Sequence, residues 1–234
     1  MRPGLSSLTR DYIAPALIQY GYQLQGDGLV KQFPTGDQVL VCLNGRNQGH
    51  FTEFVITGAV APPAMVRFWQ LWLDGSIGSL TQHHMAGIYG PDAPSAWAQA
   101  NQSPRRWAVG LTDAAEFASA GEDLATVIAR ELVPVLDRLA DRRELLRAFE
   151  DREVYGTGFR PFQSYIQRPL AMLDWRPIVE IEDVLNSVGE RIVAEVRGAF
   201  LAYAEAIIQA RRTSGEEGEL KPGVPEWLPT APCW

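Results

Sequence analysis

Two runs decide how this chain folds. The first is Gln38-Val39-Leu40-Val41-Cys42-Leu43, closed by Asn44-Gly45, and the second is His50-Phe51-Thr52-Glu53-Phe54-Val55-Ile56-Thr57-Gly58-Ala59-Val60. Both are rich in β-branched and aromatic side chains, which suit a pleated, packed surface. A strand sends successive side chains to opposite faces, so His50, Thr52, Phe54 and Ile56 share one face and Phe51, Glu53, Val55 and Thr57 the other. Apolar residues stand on both faces, as a central strand covered on each side requires.

Upstream, Tyr22 to Gln25 and Leu29 to Phe33 flank Gly26-Asp27-Gly28, residues that tolerate the positive φ of a hairpin turn. Pro34-Thr35-Gly36-Asp37 then turns the chain into the first decisive run. Before the hairpin, Leu8, Tyr12, Ile13, Ala16, Leu17 and Tyr20 recur every three or four positions. That spacing predicts a helix capped by Ser6 or Ser7, bent or delayed by Pro15 and stopped by Gly21.

Downstream, residues 62–73 switch to helical spacing with Met65, Phe68, Trp69 and Trp72 on one side. Periodicity is then lost from 74 to 104, apart from short strands expected at His84 to Tyr89 and Arg105 to Leu111. Asp113 and Glu116 have capping-box spacing ahead of the apolar face Leu124, Val127, Ile128, Leu132, Leu136 and Leu139, in a helix that Pro134 kinks or divides. Asp141 and Glu144 open a second helix through Phe149. Glu182 to Arg212 reads as one helix with the stripe Leu185, Val188, Ile192, Val196, Phe200, Tyr203 and Ile207.

The fold class is therefore α+β: an antiparallel β-meander with helices packed on one face, plus a long C-terminal helix. Residues 1–150 form the α+β domain, 151–177 a Gly/Pro/aromatic connector, 178–212 the long amphipathic helix and 213–234 a Pro/Trp-rich flexible tail. The stripe of the last helix packs on the same domain or forms a homodimer through residues 182–212.

The order Gly21-Tyr22, Phe33, Gln38 to Leu43, Asn47 to Thr57, Ile88-Tyr89-Gly90, Arg106-Trp107 and Val133-Pro134-Val135-Leu136-Asp137-Arg138-Leu139 resembles a family of uncharacterised bacterial proteins, a domain of unknown function. The resemblance covers about residues 8–150. Where that family carries a charged or cysteine-containing segment this chain has His83-His84-Met85-Ala86, and everything beyond 150 lies outside the pattern. The resemblance implies the fold and a cytosolic bacterial setting, and it transfers no catalytic residue.

With 234 residues, 46% hydrophobic and 21% charged, the chain has enough apolar material for one sizeable core plus extensions or for two small domains. A net charge of −7 argues against nucleic acid, which needs a concentrated Lys/Arg surface. Met1-Arg2-Pro3-Gly4 leads to polar residues and not to the apolar region of a secretory signal, and no apolar run spans a bilayer. A cytoplasmic location is expected, with Cys42 as a core residue and no disulfide to Cys233.

No Gly-x-Ser-x-Gly elbow is present, and Gly156-Thr157-Gly158-Phe159 is a turn, since no Lys-Ser/Thr follows it. Glu116, Glu122, Glu180, Glu182 and Asp183 occupy helix-starting positions where acids complement the dipole. Arg67-Phe68-Trp69 and Arg105-Arg106-Trp107 interleave base and aromatic, a pattern in which an arginine stem covers a ring edge. No cofactor or metal is implied. The leading reading is an acidic, non-enzymatic protein-interaction module, an immunity- or antitoxin-like binder of a basic protein. Its surface would comprise Met65, Phe68, Trp69 and Trp72, if that stripe is exposed and not core, with Trp227 and Trp234 in the proline-spaced tail. The alternative is a small-molecule or metal-dependent enzyme with its site near His50, Glu53, His83 and His84.

Overall fold

The second alternating run is the middle of a sheet. The structure, a computed structural model, describes residues 4–26, 28–72, 86–88, 107–150, 161–192 and 194–221. Its strands are β1 Gln23–Gln25, β2 Gly28–Gln32, β3 Gln38–Gln48, β4 Phe51–Ala61, β5 Ala86–Ile88 and β6 Trp107–Gly110. They form one antiparallel sheet in the order β1-β2-β3-β4-β5, with β6 also on β4. On β4, β5 pairs opposite Ile56, Thr57 and Gly58, and β6 opposite Phe51 to Phe54. Partners on both edges and apolar faces on both sides leave Thr52, Phe54 and everything from Ile56 to Ala61 buried.

The helices are α1 over residues 5–20, α2 Pro63–Trp72, α3 over residues 114–139, α4 Arg142–Glu150, α5 Pro161–Met172, α6 Ile178–Val188 and α7 Ala194–Thr213. The described residues fall into two compact units, one from 4–32, 39–60 and 86–150, the other from 33–38, 61–72 and 161–221. The division does not follow the linear order, because α2 groups with the C-terminal helices.

In the first unit, α1 begins after Gly4 with no side-chain cap, so Ser6 and Ser7 lie inside its first turn and do not cap it. Pro15 does not delay the helix. The turn before it, Leu8–Ile13, widens to a π-turn in which the Ala14 amide donates to the Thr9 carbonyl, five residues back. Pro134 is accommodated in the same way: Ile128–Leu132 widens, and the Val133 amide donates to the Ile128 carbonyl. Proline has no N–H and its ring crowds the carbonyl four residues earlier, and a widened turn is one local way to relieve both. Gly21 stops α1 as expected, at φ 85°. Asp113 caps α3 by accepting from the Ala115 and Glu116 amides at 2.8 and 3.1 Å. Asp141 does the same for α4, from Arg143 and Glu144 at 2.8 and 3.2 Å. α1 meets α3 where Gly121 faces the Tyr12 ring, so closely that a side chain there would overlap it.

In the second unit, Met65, Phe68 and Trp69 of α2 are buried, and the Phe68 ring lies 5.8 Å from Phe200 and 5.4 Å from Tyr203 of α7. The start of α2 is held by residues distant in sequence. Its Ala64 amide donates to Asp174 Oδ2 at 3.3 Å, and the Tyr203 hydroxyl donates to the Ala64 carbonyl at 2.8 Å. Burial, with the Asp174 charge nearby, pushes the Tyr203 hydroxyl pKa above its ordinary value.

Three expectations need correction in this unit. The stretch read as a connector contains α5, which buries Ile166 and Leu170 on either side of Pro169. The single helix expected over 182–212 is two helices broken at Gly189–Arg191. There the Arg197 guanidinium accepts the helix's role by donating to the Glu190 and Ile192 carbonyls at 2.6 and 2.8 Å. The tail does not loosen at 213, because residues up to 221 dock onto the unit.

Arg211 is the reason. Although 0% exposed, it donates to four carbonyls: Leu173 at 3.0 Å, Arg176 at 2.7 Å, Glu216 at 3.0 Å and Gly218 at 2.7 Å. Beside it the Ile178 amide donates to the Glu217 carbonyl at 2.9 Å and the Leu220 amide to the Trp175 carbonyl at 2.7 Å. Burial lowers the guanidinium's pKa from its ordinary value, opposed by the charges of Asp174 and Glu216. Arginine nevertheless stays protonated in proteins.

Removing this group strands buried acceptors, each costing about 1–3 kcal/mol. Arg211→Met should therefore lower stability by about 3–5 kcal/mol in urea unfolding, the range for breaking a buried charged contact. Gly121→Ala in the other unit should cost about 1–3 kcal/mol by overpacking.

Candidate protein-interaction groove

The docking of α6 beside α7 follows from residues just described. Arg211 fixes the carbonyls of the turn that precedes α6, and one residue on, Arg212 pairs with Glu182 of α6 at 2.7 Å. The stripe of α7 faces inward, with Phe200, Tyr203 and Ile207 buried. It is thus covered inside the second unit, where Phe68 of α2 meets Phe200 and Tyr203. The homodimer through residues 182–212 has no support in that stripe.

On the other side of the two helices a groove of about 450 Å³ remains. Val179 and Leu185 of α6 and Leu201 and Ile208 of α7 form its apolar part, and Glu182, Asp183 and Glu205 its acidic part. Val179 is 63% exposed and Leu201 37%, large aliphatic side chains that folding leaves in water. Among the described residues Arg212 is the only cation lining the groove, and it is engaged with Glu182. Asp183 and Glu205, both exposed, leave the groove net negative.

The sequence-derived candidates fare differently. Met65, Phe68 and Trp69 are brought together, but in the interior of the second unit, so the stripe serves as core there. The Trp72 side chain, Trp227, Trp234, His83 and His84 lie outside the described residues. His50 was expected in the strand. It sits instead in the exposed turn before β4, its amide donating to the Gln48 carbonyl and its carbonyl accepting from the Leu111 amide, both at 2.8 Å. Glu53 is half-buried on β4, and no group of three or more His, Cys, Asp or Glu able to hold a metal occurs among the described residues. No helix among them is long and apolar enough to cross a membrane.

Sequence reasoning missed Val179, Leu201 and Glu205. Leu201 and Glu205 do stand four apart, on the side of α7 away from its stripe. Val179 precedes the apolar stripe, which starts at Leu185, and its pairing with them depended on the break at Gly189–Arg191, which the stripe runs straight through.

No protein-family model, curated protein or solved structure matches this chain.

If the groove is surface and the stripe is core, substitutions at exposed and at buried positions should separate them. Val179→Ser and Leu201→Ser should each change stability by less than about 0.5 kcal/mol, as exposed sites do. Phe200→Ala should cost about 3–5 kcal/mol by leaving a cavity. Parallel thermal and urea unfolding checks both.

Proposed function

We propose that this chain is a bacterial, cytoplasmic, non-enzymatic interaction module that binds a basic protein, as an immunity- or antitoxin-like binder does. Its α6–α7 groove receives a basic amphipathic segment of that partner. The observation that carries the reading is the combination of exposed Val179 and Leu201 with the acids Asp183 and Glu205 in one groove. The bacterial, cytoplasmic setting rests on the resemblance in residues 8–150.

Magnitudes assign the roles. Fully burying an aliphatic side chain contributes about 1.5–3 kcal/mol, whereas an exposed ion pair contributes about 0–1 kcal/mol. The apolar floor therefore supplies most of the affinity. The acids, together with the chain's net charge of −7, select a cationic partner and speed its approach. A helix fits this scheme best: apolar side chains three and four apart seat between Val179 and Leu201 while flanking Lys or Arg residues face Asp183 and Glu205.

A photo-crosslinking residue at position 179, used in cells that express the neighbouring genes, identifies the partner, and binding is then measured with the purified pair. The Asp183→Lys/Glu205→Lys double variant should weaken binding about tenfold, with a flatter salt dependence. A partner that is acidic, or one that binds the double variant as tightly as the unsubstituted chain, would overturn the reading.

A further inference from the structure

β1 is the outermost strand on its side of the sheet, and among the described residues only β2 pairs with it. All three of its residues are exposed. An edge strand presents unpaired N–H and C=O groups to any chain that approaches, and proteins usually guard such edges with charge, proline or a bulge. Here Tyr22-Gln23-Leu24-Gln25-Gly26 contains neither charge nor proline. The end of α1 leads straight into it and adds apolar surface: Ile18 is 67% exposed, Tyr20 38% and Leu24 44%. An edge without charge, proline or bulge, flanked by exposed aliphatic groups, marks a contact surface.

The sequence of the edge indicates what covers it. Gln23-Leu24-Gln25 reads the same in both directions, so an antiparallel copy sets Leu24 against Leu24 and each Gln23 against a Gln25. Two-fold contacts need such self-complementarity, because every residue meets its own counterpart patch. Glutamine satisfies it, since one amide both donates and accepts. Charge points the same way. Two chains of net charge −7 repel, and an uncharged edge adds nothing to that repulsion where they meet. Gln23, Leu24, Gln25 and Gln32 line one uncharged stretch of that edge together with Gly21 and Val30.

We propose that β1 pairs antiparallel with β1 of a second copy, about a two-fold axis at Leu24, joining the two sheets edge to edge. The contact lies in the first unit and is independent of the α6–α7 groove. A ladder of three residues is short, so the dimer belongs with small, weak, transient interfaces and forms as protein concentration rises.

Sedimentation velocity of the full chain over a concentration series tests this, with circular dichroism confirming that each variant is folded. The unsubstituted chain should pass from monomer to dimer. Leu24→Lys and Leu24→Glu each set like charges across the axis and should each raise the dissociation constant about tenfold or more. An equimolar mixture of the two should dimerise again, because unlike charges then face each other. A chain that stays monomeric up to about millimolar concentration, weaker than any association of functional strength, overturns the proposal. So does a dimer that persists in both charged variants, or a mixture that stays monomeric.

Discussion

The second unit hangs on one buried cation. A guanidinium carries five N–H donors in a rigid fork, and Arg211 directs them at carbonyls from two separate segments, the turn after α5 and the irregular stretch after α7. Those carbonyls lie in non-helical segments, where no helical ladder supplies a partner and an unpaired acceptor in the interior would be costly. Burying a charge is itself expensive, and Asp174 offsets part of that cost while its carboxylate accepts from the Ala64 amide at the start of α2. The same pair of side chains thus sets where α2, α6 and the residues beyond α7 lie. The groove inherits its walls from this arrangement, so its geometry is a consequence of the core and not of a flexible surface.

The first unit is organised by steric allowances. Two prolines sit inside long helices, and each is preceded by a widened π-turn that removes the clash without ending the helix. Gly121 lets α1 and α3 approach more closely than any other residue would permit. These features leave the helices continuous, with Leu8, Leu17, Leu124, Ile128, Leu132 and Leu136 in one interior.

Much of this could be read from residues alone, because the signals were local. The runs at 38–43 and 50–60 placed β4 and the first half of β3, although Asn44-Gly45, expected to close that strand, lies inside it; Asp113 and Asp141 marked helix starts, Gly21 a helix stop, and short strands were expected where β5 and β6 stand. The misreadings share a cause: the deciding partner is far away in the chain. α2 belongs with residues near 200 because Phe68 meets Phe200 and Tyr203, and Pro63–Trp72 carries no sign of that within itself. The docked stretch 214–221 is Gly- and Glu-rich and has little to bury, so only its carbonyls' use by Arg211 explains its order. Likewise the stripe of Met65, Phe68 and Trp69 told of an apolar face without telling whether water or α7 lay against it. The groove residues were hidden for the complementary reason, since they lie off the stripes that periodicity picks out.

Amide hydrogen exchange at Ile178 and Leu220 tests the central claim most directly. Both N–H groups sit in the arrangement that Arg211 holds, donating to the Glu217 and Trp175 carbonyls. If that arrangement is a cooperative part of the core, the two amides exchange only through unfolding of the whole unit, as slowly as amides in the middle of α7. Exchange of Leu220 or Ile178 at rates near those of an unfolded chain, while α7 stays protected, would contradict the account.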